Sequence, residues 1–329
     1  MITIACDGSG DFKTINDALA VVPQVKDDRI VLFVKNGVYK EKIRLMHANL
    51  SLIGEDAEKT VITFDDCAKK LLPDGRRMGT FNSYTVYIGG SDFHASNITI
   101  ENSAGNGCIA GQAVALYVDA DRASFKNCRI IGWQDTLFTG PLPDDPVPAG
   151  INPMHPYAGL GDWKVAENFR HYFEECFIQG DIDFIFGSST AVFNRCTVFS
   201  NDIRSEHVGY ITAASTPSDA AFGYVFIDCT VTSKGSIPTS YLGRPWRTNA
   251  KTAFVNCHLG GHVFPEGWHD WNKSNAQQSV QYAEYGNNGP GADNKKRPGW
   301  IKFISDQDFE QYNIANILAG NDGWNPLEC

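Results

Sequence analysis

Two aspartates set in apolar, strand-like runs are the residues of this chain best placed to do chemistry. Asp183 lies in Gly180-Asp181-Ile182-Asp183-Phe184-Ile185-Phe186-Gly187, and Asp135 in Gln134-Asp135-Thr136-Leu137. Burying an unpaired carboxylate is costly, so a cation must hold it or its pKa must move. Arg244, in Leu242-Gly243-Arg244-Pro245-Trp246, can supply the cation. Two carboxylates in unequal environments divide labour, one ionised and the other protonated. With two amide side chains, Gln134 among them, the set reads as a plausible hydrolytic site. The bland alternative for Asp183 is a capped turn with a solvated carboxylate.

The elements that must position these groups are short strands. Thr14 precedes Ile15, Ala18, Leu19 and Val22, an amphipathic spacing that predicts a helix closed by Pro23. Ile30–Val34, Val38–Ile43, Leu50–Gly54 and Thr60–Phe64 then read as strands. From about residue 93 a repeat emerges: Phe125, Phe173, Phe193, Phe226 and Phe254 each begin a Phe-x-x-Cys, and Phe93-His94-Ala95-Ser96 reads as a degenerate copy. One Phe and one Cys per unit, with strand chemistry and irregular connections, predicts a parallel β-helix whose coils stack these side chains into interior ladders. Hairpin turns such as Asn36-Gly37 and Asn106-Gly107 are too sparse for a propeller or sandwich. The expected architecture is all-β, a right-handed single-stranded parallel β-helix, in one domain over 1–329. Phe303 to Leu318 is expected to form a closing helix over an open coil end. Residues 140–168 hold six prolines and read as an inserted loop near the cleft.

Composition narrows the partners. With 43 % hydrophobic and 20 % charged residues the chain folds around a sizeable core, and its net charge of −10 argues against nucleic acid. Nine cysteines cannot all pair internally, and five fall in the repeat as small buried apolar residues. No Cys/His spacing suggests a metal, and a calcium site at Asp65 and Asp66 lacks any EF-hand pattern, so neither metal nor cofactor is expected. The sequence shows neither a basic-then-apolar leader nor an apolar run of spanning length. As written it is expected to be a soluble monomer away from membranes, cytoplasmic unless a leader has been removed.

Five segments taken in order resemble the pectin methylesterases, carbohydrate esterases that demethylate homogalacturonan. They are Gly37-Val38-Tyr39-Lys40-Glu41, Gly111-Gln112-Ala113-Val114-Ala115-Leu116, Gln134-Asp135-Thr136-Leu137, Asp183-Phe184-Ile185-Phe186-Gly187 and Leu242-Gly243-Arg244-Pro245-Trp246. Gly267-Trp268 and Gly289-Pro290-Gly291-Ala292 are weaker echoes. The resemblance implies a parallel β-helix, in agreement with the repeat. It also implies Asp183 as nucleophile, Asp135 as acid and base, and Gln112 and Gln134 as oxyanion donors. Arg244 would orient Asp183 and lower its pKa. Trp246, Trp268 and Phe81 would line the cleft with Arg244, while Tyr39 and Glu41 would be structural. The substrate implied is methyl-esterified homogalacturonan or its oligomers.

The stretch between Asp135 and Asp183 is longer than many members show, which suggests that the Pro-rich insertion narrows or covers the site. Competing readings are a lyase or glycosidase on the same scaffold, a thioesterase-like relative, or a non-catalytic carbohydrate-binding β-helix. The eight histidines offer no Ser-His-Asp ordering, and Gly-x-Ser-x-Gly is absent.

Overall fold

The computed structural model describes residues 1–23, 28–141, 168–201, 208–273 and 275–328. Its strands stack in three parallel sheets of eleven, seven and eight strands, and successive strands of one turn of chain go to different sheets. This is the parallel β-helix that the repeat predicts. The repeat acquires a physical meaning in each coil. The Phe stands inside the eleven-stranded sheet, and the residue before the Cys is left-handed: Asn127 (φ 49°), Glu175 (53°), Arg195 (52°), Asp228 (53°) and Asn256 (53°). That residue turns the chain, and the Cys re-enters the core at the edge of the eight-stranded sheet. Phe125, Phe173, Phe193, Phe226 and Phe254 form a face-to-face stack with centroids 4.4–4.8 Å apart. Each buried thiol of Cys176, Cys196, Cys229 and Cys257 donates to the carbonyl of the Phe one coil earlier, at 3.2–3.5 Å. The five repeat cysteines are free and buried, as expected.

The degenerate copy is shifted from its expected place. Ala95, not Phe93, pairs in register with Phe125, and left-handed Asn97 precedes Ile98 at the Cys position. Phe93 instead tilts into the stack at 46°. The N-terminal helix, Ile15–Val21, is capped by the Thr14 hydroxyl and buries Ile15, Ala18 and Leu19 over the first coil. Glu41 accepts the N–H groups of Ile15 and Asn16, and the Tyr39 hydroxyl donates to the carbonyl of Lys35, so both are structural. The C-terminal expectation needs correcting. Phe303 to Leu318 holds two short helices, Asp306–Phe309 and Ile314–Leu318. Ile317 and Leu318 pack on Tyr172, Val192 and Val225, the outer face of the eleven-stranded sheet, not on the coil end. Arg170, paired with Asp121 at 2.6 Å and with Asp322 at 2.5 Å, fastens them there. Most of the Pro-rich segment 140–168 lies outside the described residues. Asp66, weighed above as a calcium ligand, is paired with Lys42 and Lys70.

Candidate active site

The site is built on the outer face of the seven-stranded sheet. Leu137–Thr139 and Ile182–Gly187 are adjacent strands there, with Leu137 opposite Ile185 and Phe138 opposite Phe186. Asp135 ends the turn into the first strand and Asp183 interrupts the second, where the register against Gly209–Ala214 shifts between Ile182 and Ile185. Both aspartates have left-handed backbone, φ 63° at Asp135 and 50° at Asp183, a conformation that aspartate tolerates better than most residues. The strain aims two carboxylates outward from positions that regular pleating would not bring together. Asp135 is 9 % exposed and Asp183 8 %.

Arg244 follows the strand Ser240–Gly243 and closes on Asp183 with two parallel bonds, Nε to Oδ1 at 2.8 Å and Nη2 to Oδ2 at 2.6 Å. This is the bidentate geometry that gives a guanidinium–carboxylate pair both strength and direction. Arg244 does pull the Asp183 pKa down, as the sequence suggested, but burial is the larger effect and the carboxyl ends above its ordinary value. Burial pushes Asp135 well above the ordinary range. The charge of Asp183 adds to that rise, Arg244 opposes it, and Asp181 adds a little more. The two acids are thus differentiated: one carries a cation partner and the other faces an anion. Arg244 favours the ionised form of Asp183 against its burial, whereas burial and the Asp183 charge both favour the protonated form of Asp135.

Gln112 and Gln134 are half-buried at the same end of the sheet, tied by main chain. The carbonyl of Gln134 accepts the N–H of Ala113 at 3.0 Å, and that of Gln112 accepts Ala68 N–H at 2.8 Å. A short helix, Gly107–Ala110, rests on the Gln134 side chain: a Cβ on Gly107 would stand 2.8 Å from Gln134 Cβ.

An aromatic row runs away from the acids along the coils. Tyr87, Tyr117, Phe138 and Phe186 occupy in-register positions on four successive strands, with centroids 4.5–5.0 Å apart. Trp246 continues it, 5.8 Å from Phe186 and half-buried. The Lys273 ammonium holds the Trp246 loop by donating to the carbonyls of Pro245 and Trp246 at 3.0 and 3.1 Å. Phe81 belongs to the same cluster but is 5 % exposed and edge-on to Phe138 at 5.3 Å, so it supports the row from beneath. Trp268 is not a cleft residue. It is 2 % exposed, stacks on Tyr282 inside the helix at 4.3 Å, and donates its indole N–H to Glu284 at 2.9 Å. The tryptophan that reaches the site is Trp271, three residues on, whose ring covers the Arg244 guanidinium at 3.7 Å. The sequence offered a signal for Phe138 and Phe186: each lies three residues after its aspartate. Trp271 and Tyr210 had no comparable marker.

Comparison with known proteins gives the family. The family description Pectinesterase matches residues 1–141 and 157–321. The chain is 33 % identical over 332 residues to Pectinesterase/pectinesterase inhibitor 18 of Arabidopsis thaliana, covering 97 % of this chain and 53 % of that protein. It therefore spans about half the length of that curated relative. Among solved structures, a pectin methylesterase from carrot superposes with a TM-score of 0.80 at 30 % identity, covering 97 % of this chain and 93 % of that one. A pectin methylesterase in complex with a hexasaccharide matches with a TM-score of 0.79 at 29 % identity, covering 99 % and 98 %. By the extent of the family match and the shared coil-by-coil architecture, the chain belongs to the pectinesterase family.

Proposed function

We propose that this protein is a pectin methylesterase that hydrolyses the methyl esters of polygalacturonate to methanol and free carboxylate through an aspartyl acyl-enzyme. The observation that carries the reading is the pairing of Asp183 with Arg244 beside a second buried carboxylate, Asp135, which has no cation partner among the described residues. Asp183, ionised, attacks the ester carbonyl carbon, and the carbonyl oxygen gains negative charge. The Gln112 and Gln134 amides donate to that oxygen, a stabilisation of about 2.7–4 kcal/mol per donor in comparable acyl transfer. The tetrahedral adduct collapses as the protonated Asp135 gives its proton to the departing methoxide. The products of this half are methanol and a mixed anhydride of Asp183 with the galacturonate carboxyl. Asp135, now ionised, takes a proton from water as the water attacks the anhydride. The hydroxide adds to the galacturonyl carbon, the bond from that carbon to the Asp183 oxygen breaks, and the galacturonic acid leaves and gives its proton to solvent, so that Asp183 is again ionised and Asp135 protonated.

A solved relative is described as a complex with a hexasaccharide, which supports an oligomer or polymer chain as the substrate here. The half-buried ring of Trp246, backed by the buried row from Tyr87 to Phe186, supplies aromatic surface for such a chain. The test is methanol release from highly methylated pectin by the wild type and by Asp183→Asn, with polymer length followed in parallel. Methanol without shortening, lost in the variant, is the expected result. Shortening of the polymer would replace the reading with a lyase or glycosidase.

A further inference from the structure

The Arg244 guanidinium is enclosed in a way that ion pairing with Asp183 does not require. One face lies 3.7 Å from the ring of Tyr210, and the ring of Trp271 also stands 3.7 Å from it. These rings come from separate parts of the chain. Tyr210 sits in the strand Gly209–Ala214, directly opposite Ile182, at the point where the register shifts to admit Asp183. Trp271 lies in the segment after Trp268 and has left-handed backbone, φ 58°. Both are buttressed by one residue, His269. Its Nδ1 accepts the Trp271 backbone N–H at 2.9 Å, and its ring packs edge-on to Tyr210 with centroids 5.7 Å apart. Behind Tyr210, Tyr241 stacks at 5.6 Å and Phe264 packs on Tyr241 at 4.6 Å.

We propose that Tyr210, acting with Trp271, is a positioning residue that clamps the Arg244 guanidinium so that its Nε and Nη2 hydrogens stay on Asp183. The inference rests on the esterase reading and deepens it. A guanidinium held along one edge by a carboxylate can still swing about the bond to Cδ, and a ring close to the plane resists that motion. Aromatic faces also attract the cation, and the indole of Trp271 does so without offering an acceptor that competes for its hydrogens. The nucleophile then keeps its counter-charge in place while substrate enters and methanol leaves. The charged groups facing the Asp135–Asp183 pair are Arg244, Lys273 and Asp181. Tyr210 and Tyr282 are the titratable hydroxyls that sense it, and burial keeps both neutral by raising their pKa values.

The experiment compares wild type, Tyr210→Leu and Tyr210→Phe by kcat, KM and pH profile on a short methylated oligogalacturonide. It also follows the Asp183 carboxyl directly by 13C NMR, assigned by its loss in Asp183→Asn. With the clamp opened in Tyr210→Leu, kcat falls on the order of 10²-fold, as for a misplaced catalytic group. KM changes little, and both the acid limb and the Asp183 titration move to higher pH. Tyr210→Phe, which keeps the ring, restores all three. A rise in KM alone would make Tyr210 a substrate platform and overturn the proposal. Loss of thermal stability with an unmoved Asp183 titration would make it merely structural and overturn it as well. If the wild type releases no methanol, the esterase reading fails, yet the NMR titration uses no substrate and still decides the clamp.

Discussion

The backbone N–H of Asp135 donates to the carbonyl oxygen of Ile182 at 3.0 Å, joining one buried aspartate to the residue just before the other, Asp183. Neither carboxylate can shift without the other's main chain following. The bond thus ties together the main chains that carry the two carboxyls. It also forces two acids into one dry place, and that crowding has a measurable cost.

The cost gives a prediction about stability and pH. Asp135 has its folded-state pKa raised well above the value of 3.8 expected in an unfolded chain, by burial first and by the charge of Asp183 second. A raised acid binds its proton more tightly when folded, so its stabilising effect is complete below the unfolded value. That effect is lost as pH rises through the folded value. Asp135→Asn removes the ionisable group. The expected outcome is a higher Tm at pH 7, by about 2–4 °C if the relief is near 1 kcal/mol, with no gain at pH 3, alongside loss of methanol release. Thermal melts of the two proteins at both pH values check it, and an equal shift at both would sink it.

The pH dependence of activity should follow the two acids. Under the proposed mechanism turnover needs Asp183 ionised and Asp135 protonated, so kcat/KM is expected to be bell-shaped, with the acid limb from Asp183 and the basic limb from Asp135. Arg244→Lys keeps a positive charge but loses the two-point grip at 2.8 and 2.6 Å. The expected result is a kcat lower by roughly 10²-fold and an acid limb displaced to higher pH, with the basic limb little changed. A profile that merely scales down without moving would show that Arg244 does not govern the ionisation of Asp183.

Gly107 offers a test of the proposed oxyanion donors that leaves both of them in the sequence. Its missing Cβ is the space taken by Gln134, whose own Cβ would be 2.8 Å and whose Oε1 would be 2.9 Å from an added methyl. The amide end can swing away from an added methyl, but the Cβ–Cβ clash cannot be relieved by rotating the end of the side chain. Gly107→Ala should therefore displace the Gln134 amide and lower kcat by about tenfold to a hundredfold with KM nearly unchanged. Unaltered kcat in a correctly folded variant would remove Gln134 from the oxyanion role.

The coil architecture was legible because its period is written in chemistry: a Phe for the ladder, a turn residue able to take φ near 50°, and a small Cys for the core. Asp135, Asp183 and Arg244 were legible because charges inside apolar runs are rare enough to need a reason. What could not be read was direction. Trp268 and Trp271 are three residues apart in similar surroundings, and only the left-handed turn at Trp271 and Asn272 decides which ring faces the site. Phe93 misled for a related cause, since a Phe two residues early fits the pattern by eye but not the register with Phe125. The net direction of the Asp183 pKa shift depends on how deeply the strand is covered, and composition carries no measure of that.

That exchange of tryptophans yields a last prediction. Trp268 fills the interior against Tyr282 and Phe254 and gives its N–H to Glu284, which also holds Arg297 through a pair at 2.7 Å. Trp268→Ala should open a cavity and leave a buried carboxylate short of one donor, costing about 3–5 kcal/mol. Because the cavity lies in the core and not on the cleft, KM of whatever protein still folds should stay near the wild-type value. Trp246→Ala removes a half-buried ring from the end of the aromatic row while leaving the Lys273 bonds to the Pro245 and Trp246 carbonyls intact. Its expected effect is a KM raised about tenfold, equivalent to about 1.4 kcal/mol of binding, with little change in denaturant midpoint. Chemical denaturation and steady-state kinetics on the same preparations separate the two, and a Trp268 variant that is stable but binds poorly would return that ring to the cleft.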